Sequence, residues 1–413
     1  MKRALKAERV PAPSTQPFLP YGRQVIDADD IAAVTAALQG DFLTTGPYVR
    51  RFEEALAKTV QAKHAVVCAN GTAALHMAAR ALDLGPRKKI VVPAVTFLAT
   101  ASAPHLNGAE VVFADVDPET GLMRPQDLAA AIARSGKIDA VFNVHLNGQC
   151  GALEEIASIA RTHGARIVDD ACHALGTAYV ANDGQVSAIG SNTFADLTVF
   201  SFHPVKTIAM GEGGAVTTND PIIAKRLEQA RGHGMTRDAG DFENVADAFD
   251  DDGSQNPWYY ELGQPEFNWR ANDIQCALGL SQLSKLGRFV ARRRALAARY
   301  DLELSAMAPI IKPLGRTRPC LPAWHLYVAR IDFEAAGISR AQLMRAMAAD
   351  GIGTQVHYFP VHRQPYYAKL YETPRLTGAD RYYEHALSLP LFASMTDGDI
   401  ARVTASLACR LGF

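Results

Sequence analysis

A hydroxyl, a lysine and a group of glycines lie close together near the middle of the chain. The apolar run that begins after Asp196 predicts a buried strand ending at Ser201, followed by Lys206 and by three glycines within residues 211–214. Ser201 could bond the oxygens of a phosphate, and a partly desolvated Lys206 could form a Schiff base with an aldehyde. The group therefore suits a phosphorylated carbonyl ligand. The alternative is an ordinary strand–loop–strand with a surface lysine, the commoner setting for a lysine considered alone.

A strand, a small polar turn and a helix follow one another around Asn70. The run 65–69 predicts the strand and 73–82 the helix, with Asn70, Gly71 and Thr72 between them. The first amides of a helix lack partners and its dipole is positive there, so Gly71 and Thr72 form a candidate anion site. The alternative is a plain helix cap by Asn70 or Thr72.

Two later strand ends add candidate ligand groups. Phe97 follows the predicted strand 90–93 and could stack on a flat ring, although core packing is the commoner role. Asp169 and Asp170 end the predicted strand 166–170. Because neighbouring side chains of a strand point to opposite faces, we expect one of the two to face a given site. A carboxylate there could pair with a protonated ring nitrogen; the alternative is a structural cap.

The alternation of strands and helices from residue 65 to 170 predicts an α/β fold with a mostly parallel sheet. Ligands of such sheets bind at the carboxyl ends of the strands, where the groups above would converge. From about residue 309 the pattern changes to short predicted strands, 325–331 and 354–358, between helices. The predicted organisation is a mobile N-terminal arm (1–20), a large ligand-binding domain (21–286) and a smaller C-terminal α/β domain (287–413).

Three further stretches are polar or aromatic. The loop 41–47 carries hydroxyls suited to ligand contact, or is a plain turn between helices. Residues 355–362 combine aromatic and polar side chains, which suits a sugar or nucleotide, or a core segment with a turn. Residues 232–264 are polar with an acidic run, and predict an exposed loop.

Composition excludes several classes of partner. The chain of 413 residues has a formal net charge of -1, which gives no electrostatic reason to expect binding to nucleic acid or to an anionic membrane. No apolar run approaches the roughly 20 residues of a membrane span, and the first ten residues lack the apolar segment of a signal peptide. The scattered cysteines form no CxxC pair, and Cys172 with His173 lacks metal-ligand spacing. We expect a cytoplasmic protein without a metal site.

In combination, these segments resemble the nucleotide-sugar aminotransferases, which are fold type I pyridoxal phosphate (PLP) enzymes. The similarity covers roughly residues 20–411 and is carried by Ser-Phe-His-Pro-Val-Lys (201–206), Gly-Glu-Gly-Gly-Ala (211–215), Asn-Gly-Thr-Ala-Ala-Leu (70–75), Asp-Asp-Ala-Cys-His-Ala-Leu-Gly (169–176), Phe-Asn-Trp-Arg-Ala-Asn-Asp-Ile-Gln (267–275) and Gln-Val-His-Tyr (355–358). It implies a large PLP-binding domain with a mostly parallel, seven-stranded type of sheet and a smaller C-terminal α/β domain.

The resemblance is closest to the 4-aminotransferases that make UDP-4-amino-4,6-dideoxy-N-acetyl-β-L-altrosamine for pseudaminic acid. The segments that favour this subgroup are Pro-Tyr-Gly-Arg-Gln (20–24), Asp-Phe-Leu-Thr-Thr-Gly (41–46), Leu-Gly-Leu-Ser-Gln-Leu (278–283) and Val-His-Arg-Gln-Pro-Tyr-Tyr (361–367). Met210 departs from the family, which commonly has a small residue there.

The resemblance also implies roles for individual residues. Lys206 would hold the cofactor and move protons, and Asp170 would keep its ring nitrogen protonated. The phosphate would be held by Gly71, Thr72 and Ser201, while Phe97 would cover the ring and His173 would lie beside it. Asn268 would reach the phosphate in the neighbouring subunit, which implies a homodimer with shared active sites. The sugar-nucleotide site would be lined by Tyr21, Asp41, Phe42, Leu43, Thr44, Arg270, Gln355, Val356, His357 and Tyr358.

The implied reaction takes an amino group from L-glutamate to C4 of a UDP-linked 4-keto-6-deoxy-N-acetylhexosamine. GDP- or dTDP-linked 4-keto sugars are the main alternative substrates. A sugar dehydratase on the same fold is disfavoured by Lys206, since the related dehydratases have histidine at that position. A non-catalytic PLP-binding regulator is disfavoured because the catalytic set is complete and no DNA-binding appendage is evident.

Overall fold

The computed structural model describes residues 17–413 as strands alternating with helices. The strands are β1 (His64–Cys68), β2 (Lys89–Pro93), β3 (Glu110–Ala114), β4 (Ala140–Val144), β5 (Arg166–Asp170), β6 (Ala178–Val180), β7 (Val186–Ala188), β8 (Leu197–Ser201), β9 (Gly214–Thr218), β10 (Met235–Thr236), β11 (Glu261–Leu262), β12 (Ile311–Pro313), β13 (Cys320–Leu321), β14 (Tyr327–Ile331) and β15 (Ala386–Leu389). The helices are α1 (Ala28–Leu38), α2 (Pro47–Val60), α3 (Gly71–Ala81), α4 (Ala99–Leu106), α5 (Pro125–Ser135), α6 (Leu153–Thr162), α7 (Pro221–Arg231), α8 (Val245–Ala248), α9 (Asp273–Ser284), α10 (Leu286–Leu304), α11 (Arg340–Ala349), α12 (Pro365–Leu370), α13 (Thr377–His385) and α14 (Asp397–Leu411). None of the helices in this range is both long enough and apolar enough to cross a membrane.

Seven strands form the central sheet, in the order β1-β9-β8-β5-β4-β2-β3. β9 is antiparallel to β1 and β8, and the other neighbours are parallel, which confirms the predicted α/β fold. Successive side chains of a strand pack into separate cores on the two faces of the sheet. In β2, Ile90 and Val92 pack on one face and Val91 on the other. Because both faces are covered, β4 and β9 are buried along their whole length.

A second, antiparallel sheet of β12, β14 and β15 organises the C-terminal part of the chain. Its core includes Leu296 of α10, Leu343 of α11 and Leu407 of α14. Leu19 joins the same core, and its N–H donates to the carbonyl of Gly351 at 2.9 Å. The rest of the predicted arm, residues 1–16, lies outside the described residues. The domain division near residue 286 falls at the start of α10 and stays a prediction.

Two local predictions are wrong. The predicted strand 354–358 is absent, since Gln355 pairs singly with Ser388 and the following residues turn along a cavity wall instead of alternating between two faces. The predicted exposed loop 232–264 contains the β10–β11 ribbon and helix α8. Its polar composition predicts an exposed loop, and most of its residues are exposed, but the rings of Phe242, Phe249 and Tyr259 pack on one another and give the segment an aromatic centre of its own.

Candidate active site

The carboxyl ends of β5 and β8 open into a cavity of about 780 Å³. This is the position at which sheets of this class bind ligands. The predicted site residues that line the cavity are Tyr21, Gly71, Thr72, Phe97, Asp170, His173, Ser201, Lys206, Gln355, Val356, His357 and Tyr358. The sheet and the C-terminal segment 355–358 therefore build one site together.

The start of α3 forms an anion cradle. Asn70 caps the helix, because its side chain accepts from the N–H of Ala73 at 2.9 Å, and the amides of Gly71 and Thr72 have no partner among the described residues. A β-carbon on Gly71 would lie 2.9 Å from that of Ser201, so glycine allows the Ser201 hydroxyl to approach these amides. Free amides, two hydroxyls and a helix N-terminus fit a phosphate.

Asp170 is held in a fixed orientation at the end of β5. It is 5% exposed, and its carboxylate accepts from the Thr100 hydroxyl at 2.6 Å and from the N–H of Cys172 at 3.2 Å. Asp169 points to the opposite side of the strand, where Asn143 donates to it at 3.2 Å. The expected division between the two carboxylates is thus observed, and Asp170 is the one able to pair with a protonated ring nitrogen in the cavity.

Lys206 lies in the cavity wall after a short turn, in which its N–H donates to the carbonyl of His203 at 2.8 Å. Burial lowers the pKa of Lys206, and the nearby Cys172 and Asp170 oppose that shift without cancelling it. Desolvation disfavours the charged ammonium, so more of the amine is neutral at a given pH than in an exposed lysine. A neutral amine is the nucleophilic form that can add to an aldehyde.

Aromatic side chains complete the wall above these groups. Phe97 is 50% exposed, and its ring centre lies 6.0 Å from that of Tyr358. The Tyr358 hydroxyl lies 3.1 Å from Nε2 of His173. A phosphate cradle, a lysine, a buried carboxylate and a flat apolar surface are the four features that pyridoxal phosphate requires, so the residues present fit this cofactor.

Several predicted contacts lie outside this cavity in the single chain. Trp269 lines it, but Asn268 and Arg270 flank Trp269 in an extended segment and do not. Arg270 instead borders a separate surface depression of about 530 Å³, together with Thr45. The predicted substrate residues Asp41, Phe42, Leu43 and Thr44 are exposed and also absent from the cavity wall.

The residues that sequence reasoning missed include Trp269 and His325 in the cavity wall and Asn147 behind it. Trp269 could have been found, because it lies between Asn268 and Arg270 in a segment already singled out and alternates with them. The ring of His325 packs against that of His173, with ring centres 4.4 Å apart and the two planes tilted by 49°. Asn147 adopts a left-handed conformation with φ of 63°. For these two, no local sequence pattern indicates a place beside residues so distant in the chain.

Comparison with known proteins agrees with this geometry. Residues 24–408 match the DegT/DnrJ/EryC1/StrS aminotransferase family. The chain is 37% identical over 390 residues to the spore coat polysaccharide biosynthesis protein SpsC of Bacillus subtilis (strain 168), covering 93% of this chain and 94% of SpsC.

Solved structures give the same result. Helicobacter pylori PseC, an aminotransferase involved in the biosynthesis of pseudaminic acid, is 28% identical with a TM-score of 0.85, covering 96% of this chain and 99% of PseC. The PLP form of Spr1654, a putative sugar aminotransferase from Streptococcus pneumoniae, is 26% identical with a TM-score of 0.83 and covers 96% and 99%. The chain belongs to the DegT/DnrJ/EryC1/StrS family and is a PLP-dependent sugar aminotransferase.

Proposed function

We propose that this enzyme transfers the amino group of L-glutamate to C4 of a UDP-linked 4-keto-6-deoxy-N-acetylhexosamine, in the cytoplasm, for a surface glycan of the pseudaminic acid type such as those that glycosylate flagellin. The observation that carries the chemistry is that Lys206 and Asp170 face one cavity beside the cradle of Gly71, Thr72 and Ser201. The choice of sugar is supported by the similarity to PseC and by the subgroup segments.

Each of these residues has a defined task. When bound, PLP supplies an aldehyde and an electron sink. The cradle binds and orients the phosphate, and Asp170 holds a proton at the ring nitrogen, with Thr100 fixing the carboxylate. Nζ of Lys206 accepts a proton from the α-carbon of glutamate and, in the second half-reaction, delivers one to C4 of the sugar. Its lowered pKa suits a group that must take up and release protons.

We also propose a homodimer in which each chain completes the other's site. Asn268, Arg270 and the loop 41–44 lie outside the cavity of their own chain, although the resemblance assigns them to the cofactor phosphate and the sugar nucleotide. A two-fold axis would let each subunit present these residues to its partner's cavity. The exposed side chains of Phe42 and Leu43, 56% and 50% accessible, would then be covered.

The test of the substrate is a comparison of nucleotide sugars. PLP-loaded enzyme and glutamate are offered UDP-, GDP- and dTDP-linked 4-keto sugars separately, and kcat/KM is measured for each, with product regiochemistry determined by NMR. We expect the UDP-linked N-acetylated sugar to be preferred, with the amine at C4. A preference of tenfold or more for another nucleotide, about 1.4 kcal/mol, would overturn the choice of substrate and leave the aminotransferase assignment intact.

A further inference from the structure

Asn147 lies behind the cavity and connects three segments of the chain. It is fully buried, and its backbone N–H donates to Nδ1 of His173 at 3.2 Å while its carbonyl accepts from the N–H of His325 at 3.1 Å. Its side-chain amide donates to the hydroxyl of Tyr382 at 3.2 Å, and that hydroxyl donates to the carbonyl of His357 at 3.1 Å. The residue thereby ties His173 to the segment that carries Tyr358.

The first of these bonds decides which nitrogen of His173 carries hydrogen. A backbone N–H can only donate, so Nδ1 of His173 must be an acceptor. A neutral imidazole that accepts at Nδ1 has its hydrogen at Nε2. Burial and the charge of Lys206 hold the pKa of His173 well below its usual value, which keeps the ring neutral. The neighbouring His325 is also kept neutral by burial, with its pKa well below the usual value.

The fixed tautomer in turn decides the direction of the Tyr358 hydroxyl. Nε2 of His173 lies 3.1 Å from Oη of Tyr358, and because this nitrogen bears the hydrogen it donates to the tyrosine oxygen. The hydroxyl proton of Tyr358 must then point elsewhere, and the described residues offer it no second partner. Tyr358 lines the cavity, so the space available to this proton is where the ligand binds.

We propose that Tyr358 donates a hydrogen bond from its hydroxyl to a carbonyl or hydroxyl oxygen of the sugar substrate, and that Asn147, acting through His173, is the positioning residue that fixes this direction. The inference rests on the proposed function for the identity of the ligand. The direction of this hydrogen bond makes the site selective. Beside Tyr358 the cavity favours a ligand oxygen that accepts a hydrogen bond and disfavours a ligand group that can only donate one. Burial and the charge of Asp170 raise the pKa of Tyr358, so the phenol retains its proton.

The first test is independent of any substrate. The side-chain nitrogen resonances of histidine in the uniformly ¹⁵N-labelled, PLP-loaded enzyme report the tautomer, and His173→Gln identifies the signal by its loss. We expect a neutral ring protonated at Nε2 at neutral pH. A His173 ring protonated at Nδ1, or at both nitrogens, would overturn the proposed relay from Asn147 through His173 to Tyr358, whatever substrate the enzyme aminates.

The second test measures affinity without turnover. Without an amino donor the PLP-loaded enzyme binds the keto sugar but cannot aminate it, so calorimetry gives Kd directly. Tyr358→Phe should weaken binding about fivefold to tenfold, the size of one hydrogen bond of about 1.0–1.4 kcal/mol. The exposed Tyr366→Phe, a tyrosine outside the cavity, is the matched control and should bind as the wild type does.

Variants of His173 separate the relay from simple loss of packing. His173→Leu leaves the Tyr358 hydroxyl free to rotate and should weaken binding to a similar extent. His173→Gln should recover most of that loss, because its amide oxygen can accept from Asn147 while its NH₂ group donates to Tyr358. The double variant Tyr358→Phe, His173→Leu should bind no more weakly than either single variant.

The outcomes distinguish the two proposals. Wild-type affinity in Tyr358→Phe, or fully additive losses in the double variant, would overturn the relay while the substrate assignment stands. If the wild type neither binds nor aminates any of the nucleotide sugars, the proposed function fails and the sugar contact fails with it. The tautomer measurement then still decides whether the Asn147–His173 bond sets the direction of Tyr358.

Discussion

Gly214 packs directly against the carbonyl group of Asn70, with no room for a side chain between them. Gly214 begins β9 and Asn70 caps α3, so this contact holds the first residue of β9 against the turn that forms the phosphate cradle. A β-carbon at position 214 would overlap the Asn70 carbonyl, which is backbone and cannot rotate away. The position of the cradle therefore depends on a glycine that does not itself line the cavity.

Gly214→Ala should reduce both stability and cofactor retention. The added methyl must push Asn70 or β9 aside, and overpacking of this kind lowers the free energy of unfolding by about 1–3 kcal/mol. Gly287→Ala is the matched control, because Gly287 lies in α10 with nothing within 4 Å of the added carbon. It should leave stability unchanged or raise it by up to about 1 kcal/mol. Chemical denaturation and PLP dissociation during dialysis measure the two effects, and equal behaviour of the two variants would contradict this account.

Lys206→Ala should abolish turnover with the fold intact. The side chain lies in the cavity wall, and loss of a group that binds the cofactor and moves protons costs about 10²-fold to 10⁴-fold or more. Lys312→Ala, at an exposed position of β12, should retain wild-type kcat. Retention of a tenth of the wild-type kcat by Lys206→Ala, with an unchanged circular dichroism spectrum, would refute the role of this lysine.

The capture of PLP by Lys206 should depend on pH in a predictable direction. Burial lowers the pKa of this lysine below its ordinary value of 10.5, so the neutral amine forms at a lower pH than in a free lysine. The rate at which cofactor-free enzyme captures PLP, measured by borohydride trapping and peptide mass, should rise with pH and level off below pH 10.5.

Asp170→Asn tests the electrostatic part of this explanation. The negative charge of Asp170 raises the pKa of Lys206, so its removal should lower that pKa further and move the midpoint of PLP capture to lower pH. Two results would contradict this balance between burial and charge. One is a midpoint of PLP capture that moves to higher pH in Asp170→Asn, and the other is a wild-type midpoint at or above the ordinary lysine pKa of 10.5.

Mixing two inactive variants tests the shared site. Lys206→Ala and Asn268→Ala dimers should each have little activity, but a mixed dimer has one site with both residues intact. In an equal mixture after subunit exchange, about a quarter of wild-type activity should return if the dimer is symmetric. No recovery after exchange has been verified by mass spectrometry would mean that Asn268 serves its own chain.

The parts of the site that were predictable are those with a local sequence signal. Asp170 could be found because a short apolar pair, Ile167 and Val168, leads directly into two carboxylates, and the alternation of a strand separates Asp170 from Asp169. The Asn70 turn and the Lys206 segment likewise lie at strand ends, where a parallel sheet collects ligand groups.

The remainder depends on contacts between distant segments. Asn147 and His325 meet at a backbone hydrogen bond across 178 positions of sequence, which no periodicity encodes. The sequence predicts a strand at 354–358, but Gln355 makes only a single bridge, to Ser388, and residues 355–358 line the cavity. Asn268 and Arg270, which the resemblance assigns to the cofactor phosphate and the sugar nucleotide, lie outside the cavity wall of their own chain.

The antiparallel pairing of β10 with β11 brings residues 235 and 262 together. The chain between them forms an excursion, a segment that begins and ends at nearly the same place. Its two ends meet beside Gly234, whose carbonyl accepts from the N–H of Gly263 at 3.2 Å and which packs so closely on the carbonyl of Gln264 that a side chain could not fit. The chain thus leaves and re-enters the body of the enzyme at one point. The excursion contacts α7 where Asp238 and Asp241 form ion pairs with Lys225, and none of residues 235–262 lines the cavity. Evolution, or an engineer, can remodel this outer segment while the cofactor chemistry stays fixed.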